Sequence, residues 1–219
     1  MGGGGFLVEP RNPRLDRWIL SLARGRRVLF IPTASGDSEW PVMRFFRAFR
    51  KYDCQTSQLP LFNRQHVDLR DAILSQDVIY VGGGNTANML AVWRVHGVDT
   101  LLREAWESGT VLCGVSAGAI CWFEAGLTDS FGPELRPLHG GLGFLPGSFC
   151  PHYDGEATRR PGYTRAVASG QLPAGHAADD GVGVLFEGTA LVDSAASRPG
   201  VSAYRVDRDG ERPLPTRRL

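Results

Sequence analysis

The sequence predicts an α/β domain, a mostly parallel sheet with helices on both faces, and three observations lead to it. Apolar runs of strand length alternate with amphipathic stretches of helix length. Two of those runs end in small-residue turns, Gly82-Gly83-Gly84-Asn85-Thr86 and Gly114-Val115-Ser116-Ala117-Gly118, each followed by a helical pattern. The 219 residues, 42% hydrophobic, suffice for one domain with a sizeable core.

After a glycine cluster at residues 2–5 comes a helix over 15–23; a strand would be expected to lead into it, and none is legible. Residues 27–32, apolar from Val28 onward, read as a buried strand. Residues 40–52 then place Val42, Phe45, Phe46 and Phe49 at helical spacing, completing a βα unit. Residues 77–81 are the next strand, running into the triple glycine and a helix over 87–94, and Leu101, Leu102, Ala105 and Trp106 suit a further helix. Residues 111–115 make a strand ending at Ser116, with a helix over 117–123. From about residue 126 the pattern loosens into loops rich in Gly and Pro. Residues 182–187, 189–194 and 201–206 read as short strands of a meander closing the sheet edge. The expected organisation is a single domain over 1–206 and a polar tail over 207–219, extended unless a partner subunit in a homo-oligomer holds it.

Composition removes several function classes. Lys plus Arg total 24 against 23 acidic residues, so a net charge of +1 gives no global reason to expect nucleic acid or an anionic membrane as partner. Lys51 is the only lysine and follows no glycine-rich loop, which excludes a Walker A phosphate loop and argues against Schiff-base chemistry. No apolar run approaches the length needed to span a bilayer, and the first residues have neither a basic segment nor an apolar signal core, so a cytoplasmic location is expected. Cys54, Cys113, Cys121 and Cys150 are dispersed without CxxC spacing, which points to reduced, mostly buried thiols rather than a zinc site or disulfide framework.

The chemistry concentrates at the two turns. Gly114-Val115-Ser116-Ala117-Gly118 is a GxSxG pattern where a buried strand turns into a helix, the setting of a nucleophile elbow. The hydroxyl would project at the helix N-terminus, where free N–H groups favour a developing oxyanion. A serine nucleophile needs a base, and the chain offers His66, His96, His139, His152 and His176. His152 is best placed, after Phe149-Cys150-Pro151 at an expected strand end, while His96 suits the C-terminal end of a helix and His139 and His176 remain alternatives. The turn at Gly82–Gly84 lacks GxGxxG spacing and an acidic residue at a strand end about twenty positions on, which makes a dinucleotide improbable; it can instead supply a second oxyanion N–H beside that of Ala117.

The strand–GGGNT–helix, the Gly114-Val115-Ser116-Ala117-Gly118-Ala119 elbow and the Pro151-His152-Tyr153 segment together resemble the peptidase E (aspartyl dipeptidase) and cyanophycinase family of serine peptidases, S51, over roughly residues 25–206. The resemblance implies a class I glutamine-amidotransferase-like, flavodoxin-like three-layer sandwich and a serine–histidine–acid triad that hydrolyses peptides through an acyl-enzyme, without metal or organic cofactor. Position by position, Ser116 matches the nucleophile, His152 the base, and Gly84 with Ala117 the oxyanion-hole amides. The family acid is a glutamate in a Leu-Pro-Glu-Gly turn leading into a strand. Here Asp180, in Ala178-Asp179-Asp180-Gly181, is preferred for that place because three strands would follow it, ahead of Glu187 in Phe186-Glu187-Gly188 and, more distantly, Asp129. Aspartyl dipeptidases use an arginine to recognise the substrate aspartate, and Arg159 and Arg160 lie in roughly that place; Asn85 and Tyr153 complete the expected substrate-binding set. The expectation is a serine exopeptidase acting on short peptides, among them Asp-X dipeptides. Its rivals are a cyanophycinase-like hydrolase of β-Asp-Arg, a non-catalytic ligand-binding member of the same fold, and an α/β-hydrolase esterase using Asp154 with His176.

Overall fold

The computed structural model describes residues 1–64 and 68–219; His66, one of the candidate bases, lies outside the described residues. The chain opens with the short helix α1 (Gly5–Val8) and the helix α2 (Arg14–Leu22). Strand β1 (Arg27–Ile31) follows, then α3 (Glu39–Phe49), β2 (Gln55–Gln58), α4 (Leu69–Leu74), β3 (Val78–Val81), α5 (Thr86–His96), α6 (Val98–Glu107) and β4 (Val111–Gly114). The four strands form a parallel sheet in the order β2-β1-β3-β4.

Strand alternation explains why this sheet carries helices on both faces. Val28 and Phe30 of β1 and Val78 and Tyr80 of β3 point to one side, where they pack with Phe6, Ile19, Leu20, Phe45 and Phe49 from α1, α2 and α3. Phe6 sits edge-on to Phe30, Phe49 and Tyr80 at centroid distances of 4.9 to 5.6 Å, a favourable geometry for aromatic quadrupoles. The intervening Leu29, Ile31, Ile79 and Val81 face the other way, onto Ile73, Met89, Trp93 and Leu102 of α4, α5 and α6.

After β4 the short helix α7 (Ala117–Ile120) leads into β5 (Phe123–Thr128), β6 (Arg136–His139), β7 (Leu145–Cys150), α8 (Arg159–Ala168), β8 (Gly175–Ala178), β9 (Val182–Glu187), β10 (Ala190–Ala196), β11 (Ala203–Asp207), β12 (Gly210–Pro213) and β13 (Arg217–Arg218). Four expectations are corrected here. The segment from 126 onward is not a run of loops: β5, β7 and β8 are parallel neighbours in a six-stranded sheet of order β12-β11-β8-β7-β5-β6. The three late strands are not one meander, because β9 and β10 form an antiparallel hairpin in a separate sheet with β13, while β11 joins β8. The tail is not a free extension either: β12 pairs with β11 and β13 with β10, both within the same chain. The helix expected over 117–123 ends at Ile120, since Phe123 already belongs to β5.

No strand precedes α1 among the described residues, yet the glycine cluster does strand work. The Met1 amine donates to the Gly114 carbonyl at 2.9 Å and the Ser116 amide to the Met1 carbonyl at 3.4 Å, which is parallel pairing alongside β4. On its other side the Gly2 amide donates to the Val182 carbonyl and the Gly181 amide to the Gly3 carbonyl. Residues 1–3 thereby tie the end of β4 to the start of β9.

Candidate active site

The register Val81↔Gly114 sets the ends of β3 and β4 side by side, so the glycine turn and the serine turn leave the sheet as neighbours. A Cβ on Gly83 would lie 3.3 Å from Ser116 Cβ. The serine turn closes so tightly that its outer residues have no room for a side chain. A Cβ on Gly114 would come within 2.2 Å of the Gly118 carbonyl oxygen, and one on Gly118 within 2.3 Å of that of Val81. This is the physical reason for glycine on both sides of Ser116, and it fixes Ser116 at φ 57, ψ −115, outside the left-handed helical well. Asp37, Ser116 and His152 are the non-glycine residues with positive φ among those described, so two of the three strained positions are the predicted nucleophile and base.

Ala117 opens α7, and no backbone carbonyl accepts from its amide or from that of Gly84 among the described residues. Both N–H groups sit at adjacent strand exits, as two oxyanion donors require. Asn85 caps α5 by accepting from the Asn88 amide at 2.9 Å, and its Nδ2 donates to the Ser130 carbonyl. Ser130 Oγ also accepts from the Thr86 and Ala87 amides, docking the loop after β5 onto the same turn.

His152 follows β7 at φ 53, and its Nδ1 lies 2.7 Å from Asp180 Oδ1. That hydrogen bond, with Arg198 and Arg159 adding positive potential, holds the Asp180 carboxyl below the ordinary carboxylate range despite its partial burial. An ionised carboxylate only accepts, so the proton resides on Nδ1 and Nε2 is left as the basic atom. Glu187 stands at the far end of β9, exposed, roughly 20 Å of strand away. Asp129 is exposed in the turn after β5. The structure brings Asp180 to His152, and neither rival.

Sequence reasoning missed what holds Asp180. Asp154 Oδ1 accepts from the Asp180 amide at 2.7 Å while its other oxygen pairs with Arg198 at 3.1 Å. Gly3 forms a bridge with Asp180 and lies against its carboxylate. The adjacent Asp179 is turned away: it accepts from the Ser202 amide, and burial raises its carboxyl. Asp154 is thereby committed, and His176 stands in β8 between Phe123 and Phe186, where burial lowers its imidazole to about 4. No hydrogen bond joins this pair, which the esterase alternative needs.

The two arginines also have partners. Arg159 is buried, with Nε on Glu156 at 2.7 Å and Nη1 on the Leu127 carbonyl. Arg160 pairs with Glu211 of β12 and lies over the rings of Tyr153 and Tyr204. Tyr153 is buried with its hydroxyl donating to the same glutamate. Each guanidinium thus already has an acidic partner, Arg159 buried and Arg160 half exposed. The four cysteines are all unbridged, with Cys121 and Cys150 buried and Cys54 and Cys113 half-buried. No group of three metal-ligating side chains occurs among the described residues, and none of the described helices is long and apolar enough to cross a membrane.

A mixed α/β fold that holds a strained serine turn and a hydrogen-bonded His152–Asp180 pair suits a hydrolase. The chain belongs to peptidase family S51, whose model matches residues 1–193, and it is accordingly a serine peptidase. It is 50% identical, over an alignment of 225 residues covering 100% of this chain and 97% of the relative, to the uncharacterized peptidase YgaJ of Bacillus subtilis (strain 168). Peptidase E of Shewanella amazonensis is 36% identical over 104 residues, 47% of this chain and 44% of that one. Two solved structures share the fold. A putative peptidase E protein from Listeria monocytogenes EGD-e superposes with a TM-score of 0.62 at 20% identity, covering 84% of this chain and 92% of that one. A peptidase from an acI-B1 Actinobacterium gives 0.68 at 17% identity, covering 98% and 91%.

Proposed function

We propose that the protein is a serine exopeptidase of short peptides, with Ser116 as nucleophile, His152 as general base and acid, and Asp180 as the acid that orients it. Ser116 Oγ attacks the scissile carbonyl while His152 Nε2 takes its proton, and the amides of Gly84 and Ala117 hold the oxyanion. His152 then protonates the leaving amine, and water releases the acyl group by the same steps in reverse order. The observation that carries this reading is the 2.7 Å contact of His152 with Asp180 on the chain that also holds the Ser116 elbow. Because Arg159 and Arg160 already have acidic partners, an Asp-X preference would need another cation, and the reading extends to peptides with other N-terminal residues.

The test combines substrate profiling with three variants. Ser116→Ala is expected to abolish cleavage of a dipeptide panel (Asp-X, Met-X, β-Asp-Arg) and labelling by a fluorophosphonate, with an unchanged melting transition. Asp180→Asn lowers kcat by about a thousandfold or more, as loss of the correct tautomer does in triads, whereas Glu187→Gln leaves it unchanged. Full activity in Ser116→Ala overturns the mechanism.

A further inference from the structure

A second cleft, of about 920 Å³, lies between α2 and α3 and shares no lining residue with the Ser116 turn or the His152–Asp180 pair. Six cations line it, Arg11, Arg17, Arg26, Arg44, Arg47 and Lys51, and no acidic side chain does. This segregation is not dictated by composition, since the chain as a whole carries only one excess positive charge. Ion pairs elsewhere use Arg27, Arg70, Arg136, Arg159, Arg160, Arg198, Arg212 and Arg217; none of the six joins one among the described residues. Arg44, Arg47 and Lys51 run along α3 and its C-terminal end at spacings of three and four, where like charges repel and destabilise a helix. Asp16, next to Arg17 on α2, is buried and resists ionisation. The structure thus concentrates positive charge in a concavity that also has apolar lining at Phe6, Leu20 and Ala48.

We propose that this cleft binds a small polyanion carrying a chain of phosphates. Its volume falls in the range of small-molecule clefts, and its cations come from both α2 (Arg17) and α3 (Arg44 and Arg47). Guanidinium forks pair bidentately with phosphate oxygens, and five of the six cations are arginine.

The probe is inorganic tripolyphosphate, titrated calorimetrically into the intact protein at low and at physiological salt. Binding that weakens as salt rises is expected, because exposed charges are screened. The double variant Arg47→Glu/Lys51→Glu, two exposed side chains with no structural partner, should weaken it at least about tenfold. The variant Arg208→Glu/Arg218→Glu, equal in net charge and outside the cleft, should leave it within about twofold, which separates a site from bulk charge. Absence of binding at millimolar tripolyphosphate, or equal weakening in both variants, overturns the proposal. So does a short oligonucleotide duplex that binds more tightly than tripolyphosphate through the same residues, which would make the surface a nucleic-acid site.

Discussion

Asp16 offers a stability test in which geometry fixes both sign and size. It is 3% exposed, under α1, with Oδ1 accepting the Phe6 amide at 3.2 Å, and burial lifts its carboxyl from 3.8 to about 7, with Glu9 adding to the effect. The folded state therefore holds a proton that the unfolded chain has lost between those two values. Its contribution to stability is complete below pH 3.8, falls as pH rises, and is gone above about pH 7. At about 1.4 kcal/mol per pH unit, the loss between about pH 5 and about pH 8 is on the order of 2–3 kcal/mol. Asp16→Asn keeps the acceptor for Phe6 and removes the titration, so its advantage over the wild type should grow by that amount between about pH 5 and about pH 8. Urea denaturation of both proteins at the two pH values measures the difference. Comparing the proteins matters, because the buried Met1 amine, lowered to about 6, and His176, lowered to about 4, gain stability as pH rises and partly mask Asp16 in the wild type. Parallel pH profiles for the two proteins would refute the argument.

Two further substitutions probe contacts on and next to the His152–Asp180 pair. A Cβ at Gly3 would fall 2.0 Å from Asp180 Oδ1 and 3.0 Å from His152 Nδ1, so Gly3→Ala should lower kcat about a hundredfold or more while the protein still folds cooperatively; a kcat close to wild type would refute the packing argument. Glu211→Ala strands the buried Tyr153 hydroxyl and should cost about 1–3 kcal/mol in denaturant melts, largely restored by Glu211→Gln, which keeps an acceptor.

The parallel core was legible because β1 and β3 are continuously apolar, as strands buried on both faces must be, and because α3 repeats its phenylalanines at helical spacing. The polar β2 carried no such pattern. The six-stranded sheet was hidden by its own packing. In β5, for example, Gly126 stands where a Cβ would meet Ile120 Cγ2 and the Phe149 carbonyl within 2.7 Å, so close approach of neighbours put a turn-like residue inside a strand. The tail was misread because its strands are short and polar, although β12 folds straight back on β11; only the side-chain partners of Glu211, Tyr153 and Arg160, lie more than fifty residues earlier. Ser116 and His152 were visible as a turn and a strand end. The supports from Gly3 and Asp154 join segments more than twenty residues from Asp180 and exist only in the folded chain.

The positive φ of Ser116 and His152 has an evolutionary consequence. Each costs roughly 1–2 kcal/mol relative to a residue in its preferred region, against a total stability on the order of 5–15 kcal/mol. Glycine would relieve either one. A population screened only for heat resistance would therefore drift toward glycine at Ser116 and His152, becoming hardier and, under the proposed mechanism, inert.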